Sequence, residues 1–185
     1  PVGELGSARA EFADRGYDKA SIRAIARGAE VDPALVHHYF GTKEQVFTAA
    51  VEGAFAPALP LPEIVVSENR EDVGERLVRF AFGIWENALT REPLLAIMRS
   101  AVSNETAAGI LRGLITRQLV SRVADEVAGP DATLRVELAV SQLVGVVMLR
   151  YVIKLEPIAS APSEELIGRL APVVQSHLTG AAPHP

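Results

Sequence analysis

Cysteine is absent from the 185 residues of this chain, and the sequence contains only four histidines. The lack of cysteine excludes disulfide bonds, thiol nucleophiles and cysteine-bound metals, and it is compatible with a reducing compartment. His37 and His38 are a poor metal pair, because adjacent helical residues point about 100° apart and no third ligand is near. The remaining histidines are His177 and His184. We therefore expect neither a metal ion nor a cofactor.

Long apolar runs and targeting signals are also missing. The most apolar segment, 143–149, is bounded by Gln142 and Arg150, and it is far shorter than the roughly 20 residues of a membrane-spanning helix. Residues 1–6 contain no charged region followed by an apolar stretch, so no secretory signal is visible. These absences predict a cytoplasmic protein that is not inserted in a membrane.

The sequence lacks catalytic signatures and a surplus of positive charge. It has no glycine-rich phosphate loop and no set of serine, histidine and aspartate that spacing would bring together, so we expect that it is not an enzyme. The formal net charge is −5, which does not favour a nucleic-acid partner, because phosphate binding relies on lysine and arginine. A DNA-binding function must therefore follow from the local arrangement of residues.

Helical periodicity is present along most of the chain, and no alternating strand pattern persists. With 49% hydrophobic residues the chain can bury a sizeable core. We predict an all-α fold with a three-helix head over residues 1–55 and a larger helical body over residues 56–185. Apolar positions are already in phase where the chain opens, so we expect that natural residues precede Pro1.

The head contains clear signals for the starts of three helices. Ser21 and Asp32 are suited to cap helices with their side-chain oxygens, and Pro33 suits the first helical position. Thr42 opens a capping box at the start of a fourth helix. The two short helices joined by the tight segment 29–32 predict a helix-turn-helix, whose second helix can lie in the major groove of DNA.

The body is predicted to consist of longer helices. The prolines of residues 56–70 indicate a non-helical connection. The predicted helices begin at Val73, at Pro93, after a cap at Asn104, within the segment 131–155, and after a cap at Ser163. The segment 131–155 is apolar nearly all round, more than a single core can use.

The head resembles the TetR family of regulators in its order and spacing of residues. The positions that carry the resemblance are Phe12, Gly16, Tyr17, Ser21, Ile22, Ile25, Ala26, Val31, Tyr39, Phe40, Gly41, Thr42, Lys43, Glu44 and Phe47. The resemblance implies a protein that binds double-stranded operator DNA as a homodimer, and beyond residue 55 it extends only to the architecture.

The resemblance also places the DNA contacts. They are Ser21, Arg23, Pro33, Ala34, His37, His38, Thr42 and Lys43. Arg23 is expected to contact a base edge, because a guanidinium matches both acceptors of guanine. Lys43 is expected to contact a phosphate near the positive end of a helix, with backbone contacts from Ser21 and Thr42.

Two positions depart from the family pattern. His37 stands where tyrosine is common, and Glu30 stands where glycine is usual before Val31. Because histidine changes charge between pH 5 and pH 8, we expect that a contact from His37 to phosphate makes the operator affinity depend on pH. Glu30 stands at a position of the turn where glycine often serves because the backbone is left-handed.

For the body, the resemblance implies dimerisation and a small-molecule pocket. The dimer interface is predicted at residues 131–155 and 163–179, where two copies would bury the excess apolar surface. The predicted pocket is lined by Phe82, Trp85, Leu95, Met98, Ile115, Met148 and Tyr151. The apolar lining favours a hydrophobic ligand, and the resemblance implies that such a ligand releases a repressor from its operator.

Arg150 is a charged residue on an otherwise apolar helix, so it needs a partner or access to solvent. The sequence leaves Glu137, Glu156 and an acidic ligand open as partners. Two alternatives for the function also stay open: a dimeric helical interaction module, and a DNA-binding regulator without a small-molecule inducer.

Overall fold

A computed structural model describes residues 2–66, 70–127 and 129–180 of the chain. This described part is helical and contains no strand, which confirms the predicted all-α class. His184 lies outside the described residues.

The described part contains a series of α-helices in chain order. They are α1 Val2–Lys19, α2 Ile22–Gly28, α3 Pro33–Phe40, α4 Lys43–Phe55, α5 Leu61–Val66, α6 Val73–Glu86, α7 Ala88–Ser103, α8 Glu105–Ile115, α9 Ser121–Glu126, α10 Ala132–Val147 and α11 Ser163–Thr179. A 3₁₀ turn follows α4 at Ala56–Ala58, and π-helical segments occupy Thr116–Val120 and Met148–Ile153.

The helix starts confirm the capping signals of the head. Ser21 Oγ accepts a hydrogen bond from Ala24 N at 3.2 Å, and Asp32 Oδ1 accepts one from Ala34 N at 2.7 Å. At α4 both bonds of the capping box are present, with Thr42 as the N-cap residue. Each bond satisfies a backbone N–H that has no partner within its own helix.

Three predictions of helix boundaries in the body are wrong. α5 lies inside the predicted non-helical connection, because Pro62 falls in the first turn of the helix, where a missing N–H costs nothing. α7 begins at Ala88, before Pro93. Ser163 is the first residue of α11 rather than its cap, and the capping position is held by Pro162 without a side-chain hydrogen bond.

The chain divides into two compact units. The first combines Pro1–Pro57 with Ala88–Ile115, and the second combines Ala58–Asn87 with Thr116–Pro185. The sequence-based boundary at residues 55 and 56 separates the head from everything after it, whereas the contacts group α7 and α8 with the head helices.

The core of the first unit holds α1 against α4 through aromatic side chains. The rings of Phe12 and Phe47 meet edge to face with centroids 4.9 Å apart, and Tyr17 meets Phe47 in the same way at 5.0 Å. Ile25 of α2 and Val36 of α3 are fully buried. Ile25 and Ala26 in α2, and Val36 in α3, thus fix which faces of these two short helices point outward.

In the second unit, α6 and α11 approach each other closely at Gly74. A Cβ atom at this position would lie 2.5 Å from Ala171 O and 2.6 Å from Gln175 N, so only glycine allows the observed crossing. The backbone N–H of Gly74 donates to Gln175 Oε1 at 2.6 Å. A side chain of α11 therefore satisfies a free donor in the first turn of α6.

Two helical stretches of the described part pass a test of length and apolarity for a membrane span: Lys43–Val66 and Ala132–Ile153. In the second stretch only 22% of the most apolar window is buried. Core and interface helices of soluble proteins pass the same test, so the result identifies apolar surface without assigning a membrane.

Candidate nucleic-acid interface and apolar cavity

The turn between α2 and α3 has a left-handed residue at Glu30, whose φ is +56°. Val31 N donates to Ala26 O at 3.0 Å, which closes the end of α2 around this residue. A left-handed conformation costs a non-glycine residue about 1–2 kcal/mol. The expected left-handed geometry is therefore present in this chain, and it is occupied by glutamate instead of glycine.

The outward face of α3 is set by Val36, which is fully buried. At 3.6 residues per turn, Ala34 and His38 each lie about 160° around the helix axis from Val36. Both are exposed, as is His37, whereas Pro33 is half-buried. Ala34 and His38 are thus the centre of the exposed face, and His37 lies on the flank nearer Gly41.

His37 is held by a hydrogen bond between its Nδ1 and the carbonyl oxygen of Gly41, at 2.9 Å. Because a carbonyl oxygen can only accept, Nδ1 carries the hydrogen. In the neutral ring Nε2 is then an acceptor, and only the protonated ring can donate to a phosphate oxygen. The bond to Gly41 therefore leaves Nε2 as the ring nitrogen that is available to a DNA contact.

A dependence of the operator affinity on pH through His37 stays a prediction, and it is tested at pH 6 and pH 8. The measurement is a fluorescence-anisotropy titration at both pH values and constant salt, with His37→Phe as the variant. The same pH response in the two proteins would contradict a role for His37.

Arg23 lies on the exposed face of α2, opposite the buried Ile25. No hydrogen bond or ion pair holds its guanidinium within the described residues. The side chain therefore has all five donors available, as a contact to a base edge requires. Its role as a base contact stays a prediction.

Lys43 is engaged within the protein. Its Nζ donates to the backbone oxygen of Asp18 at 3.0 Å and lies 4.7 Å from the centre of the Tyr17 ring. Burial, and the negative charges of Glu44 and Asp18, raise the pKa of Tyr17 above its ordinary value. A contact from Lys43 to phosphate stays a prediction, and it would use the ammonium hydrogens that these partners leave available.

Asp18 also receives a hydrogen bond from the start of α8. Asn104 Nδ2 donates to Asp18 Oδ1 at 2.7 Å, and Asn104 Oδ1 accepts from Ala107 N at 2.9 Å. The second bond confirms the predicted cap. One asparagine side chain thus caps α8 and connects it to the end of α1, next to Lys43.

The second unit contains an apolar cavity between α6 and α10. The volume of the cavity is about 10 Å³, and its lining consists of Ala81, Phe82, Trp85, Leu143, Val146, Val147, Arg150 and Tyr151. Three of these residues, Phe82, Trp85 and Tyr151, belong to the predicted pocket. Met148 lies in the adjoining π-helical segment and is not among the lining residues.

The other three residues of the predicted pocket lie in the first unit. They are Leu95 and Met98 on α7 and Ile115 at the end of α8. Their assignment to a ligand site rested on the apolar pattern alone, and such a pattern is shared by ordinary core residues. Leu95 is buried in the core of the first unit.

The partner of Arg150 is Glu86, so the prediction of Glu137 or Glu156 is wrong. Arg150 Nη2 lies 3.3 Å from Glu86 Oε1, and Nη1 donates to the backbone oxygens of Ile158 and Ala161, both at 2.8 Å. Glu86, the last residue of α6, thus compensates the positive charge of Arg150, which no residue in the helix of Arg150 does.

Tyr151 completes this arrangement by donating its hydroxyl to Glu86 Oε1 at 2.5 Å. Burial raises the pKa of Glu86, but the hydrogen bonds of Tyr151 and Ser163 and the charge of Arg150 hold it below its ordinary value. Burial and the bond to Glu86 raise the pKa of Tyr151. The carboxylate therefore stays ionised, and the charge of Arg150 is balanced within the chain.

Among the described residues no group of three or more histidine, cysteine, aspartate and glutamate side chains could hold a metal ion. The exposed donors lie on α2 and α3, and the apolar space lies in the second unit.

Two family models match the chain. The model described as tetracyclin repressor-like, C-terminal domain, matches residues 71–178, and that of bacterial regulatory proteins, tetR family, matches residues 5–50. A crystal structure of a TetR-family regulator from Streptomyces coelicolor A3 is 36% identical, with a TM-score of 0.73. The match covers 96% of this chain and 93% of that one.

More distant matches agree in fold. Salmonella enterica GusR is 20% identical with a TM-score of 0.68, over 97% of this chain and 93% of that chain, and at this identity the likeness shows the fold alone. The HTH-type transcriptional regulator BetI of Rhizobium meliloti (strain 1021) is 50% identical over 38 residues, which cover 20% of this chain and 19% of that regulator.

Proposed function

This chain belongs to the TetR family of bacterial regulatory proteins, and from that premise we propose that it is a repressor that leaves its operator when a small apolar ligand binds. Membership makes it a DNA-binding transcriptional regulator that dimerises. The observation that carries the proposal of a ligand is the apolar lining of the small cavity in the second unit, which a ligand would have to widen. We further propose that the protein acts in the cytoplasm, where its DNA is.

The cavity favours an uncharged ligand over an acidic one. Its polar neighbour, Arg150, already has Glu86, Tyr151 and two backbone oxygens as partners. An acid that paired with Arg150 would have to displace these partners and would leave Glu86 with an uncompensated charge, which is costly at a partly buried site. A neutral molecule needs only apolar contact with Phe82, Trp85 and Val146.

We propose that α10 and α11, within residues 131–155 and 163–179, form the dimer interface. Several large apolar side chains of these helices are solvent-exposed in the single chain, among them Leu134 at 54%, Leu138 at 40% and Val173 at 42%. Exposure of such side chains to water is unfavourable in a monomer, whereas a symmetric dimer would bury the same side chains of both subunits.

For the DNA contacts, we propose the residues that the family resemblance indicates, with Arg23 as the base reader. The exposed Ala34 and His38 support the placement of α3 in the major groove, because small and planar side chains admit close approach to base edges. The hydroxyl oxygens of Ser21 and Thr42 already accept from backbone N–H groups as helix caps, and each hydroxyl hydrogen would donate to a phosphate oxygen.

The test uses Trp85, the single tryptophan of the chain and a lining residue of the cavity. Neutral aromatic and aliphatic compounds are screened for a change in its fluorescence, and each binder is then added to the protein bound to DNA from upstream of its own gene. We expect a binder to lower the affinity of the protein for the DNA tenfold or more, which corresponds to a coupling free energy of about 1.4 kcal/mol.

Matched variants make this test specific. Val146→Phe fills the cavity and should abolish both the fluorescence change and the release, while Leu89→Phe, at a residue that is 86% exposed, should leave both intact. Binding without release would support a regulator that has no inducer. A dimer that binds no DNA at low salt would support the interaction module and overturn the proposal.

A further inference from the structure

Arg23 shares its exposed face with a second arginine that the sequence-based set of DNA contacts did not include. Arg27 follows Arg23 by four residues on α2, and both side chains are exposed. Residues four apart on a helix are neighbours on its surface, about 6 Å apart along the axis. The two guanidinium groups therefore form a single basic stripe, opposite the buried Ile25.

This stripe contains no acidic residue. The positions three and four residues from Arg23 and Arg27 within α2 are apolar or are the other arginine, and neither guanidinium has a hydrogen bond or ion pair within the part of the chain that the structure describes. Arginines elsewhere in the described part are mostly paired, as Arg15 is with Glu11 and Arg112 is with Glu105.

An unpaired stripe of this kind is unfavourable for the free protein. Like charges four residues apart repel each other on an isolated helix, and the chain as a whole carries a net charge of −5. This repulsion is offset when a polyanion lies along the stripe, because each of the two guanidinium groups then binds a negative charge of the polyanion.

We propose that Arg27 is a second DNA-contacting arginine, which binds a backbone phosphate one helical turn from the base contact of Arg23. This inference rests on the proposed placement of α2 and α3 on the operator. Arg27 would fix the position of α2 on the backbone, and it would contribute affinity without sequence preference.

The experiment compares Arg27→Ala, Arg27→Lys and Arg99→Ala with the wild type. Arg99 is the matched control: it lies on α7 in the same unit, is exposed, and its guanidinium has no partner in the described residues. Each alanine variant removes one positive charge, so a general effect of net charge would be equal in both. Thermal unfolding of each variant verifies that the fold is retained.

Binding is measured between about 50 mM and 200 mM salt to the upstream duplex and to a shuffled duplex of equal length. For Arg27→Ala we expect binding to both duplexes to weaken three- to tenfold, and the slope of log K against log salt to fall by about 0.9. Arg27→Lys keeps the slope, and Arg99→Ala behaves as the wild type.

Two results would overturn the inference. One is equal behaviour of Arg27→Ala and Arg99→Ala, and the other is a loss that Arg27→Ala shows on the upstream duplex alone. Both are distinguishable from failure of the proposed function, in which the wild type itself binds neither duplex at low salt.

Discussion

Replacing Gly74 with alanine should destabilise the protein by about 3 kcal/mol, near the upper end of the usual cost of overpacking. The added Cβ would lie 2.5–2.7 Å from three atoms of α11, and two of them, Ala171 O and Gln175 N, belong to the backbone. A backbone cannot move aside as a flexible side chain can. Helices α6 and α11 would have to separate, with loss of the bond from Gly74 N to Gln175 Oε1.

Gly83 is the matched control, because it lies in the same helix and is exposed, and a Cβ at this position meets no atom within 4 Å. Gly83→Ala should stabilise the protein by about 0.5–1 kcal/mol, since alanine has the higher helix propensity. Urea unfolding at one fixed protein concentration measures both, as dimerisation makes stability depend on concentration. A Gly74→Ala variant within 0.5 kcal/mol of the wild type would contradict the close crossing.

The parts of the fold that sequence predicts well depend on neighbours within four residues. The caps at Ser21, Asp32, Thr42 and Asn104 all use a side-chain oxygen and a backbone N–H two or three residues later. Such bonds form wherever the residue types occur in that order. The helix-turn-helix is predictable for the same reason, because it consists of little more than two capped helices and a turn.

Contacts between residues that are distant in sequence are harder to predict. Proximity in sequence favours Glu137 and Glu156 as partners of Arg150, but Glu86, at the end of another helix, is the residue that pairs with it. The grouping of α7 and α8 with the head is a result of packing alone, since both helices follow the proline-rich connection. Neither the pairing of Arg150 with Glu86 nor this grouping of helices leaves a periodic or local signal in the sequence.

Arg27, which the sequence-based set of DNA contacts omits, does have a local signal in the sequence, although the net acidity of the chain makes it easy to overlook. The net acidity of the chain draws attention to single basic residues within family motifs, such as Arg23 and Lys43. The spacing of Arg23 and Arg27 was nevertheless present in the sequence, and exposure on a common face identifies it. Conversely, the contacts of Lys43 with Asp18 and Tyr17 required coordinates, because they join α1 to α4.

Removal of Arg23 should relax discrimination between the operator and unrelated DNA by about 1–3 kcal/mol, which is roughly 5- to 150-fold. The guanidinium is exposed and unpaired within the described residues, so little of its binding energy is lost in breaking contacts of the free protein. A bidentate contact to guanine needs two parallel donors in a fixed plane, which lysine does not have.

The comparison of Arg23→Ala with Arg23→Lys separates base reading from charge. Arg23→Lys should retain binding to a shuffled duplex and lose discrimination almost as fully as Arg23→Ala, since only the fork is missing. Anisotropy titrations of the operator, of the shuffled duplex and of operators with single base-pair changes give the measurement. If Arg23 reads a base, the Arg23→Ala variant should bind an operator that is changed at that base pair as tightly as it binds the original operator. An equal loss on all duplexes would instead assign Arg23 to a phosphate, like Arg27, and the reading of sequence would pass to the exposed face of Ala34 and His38 on α3.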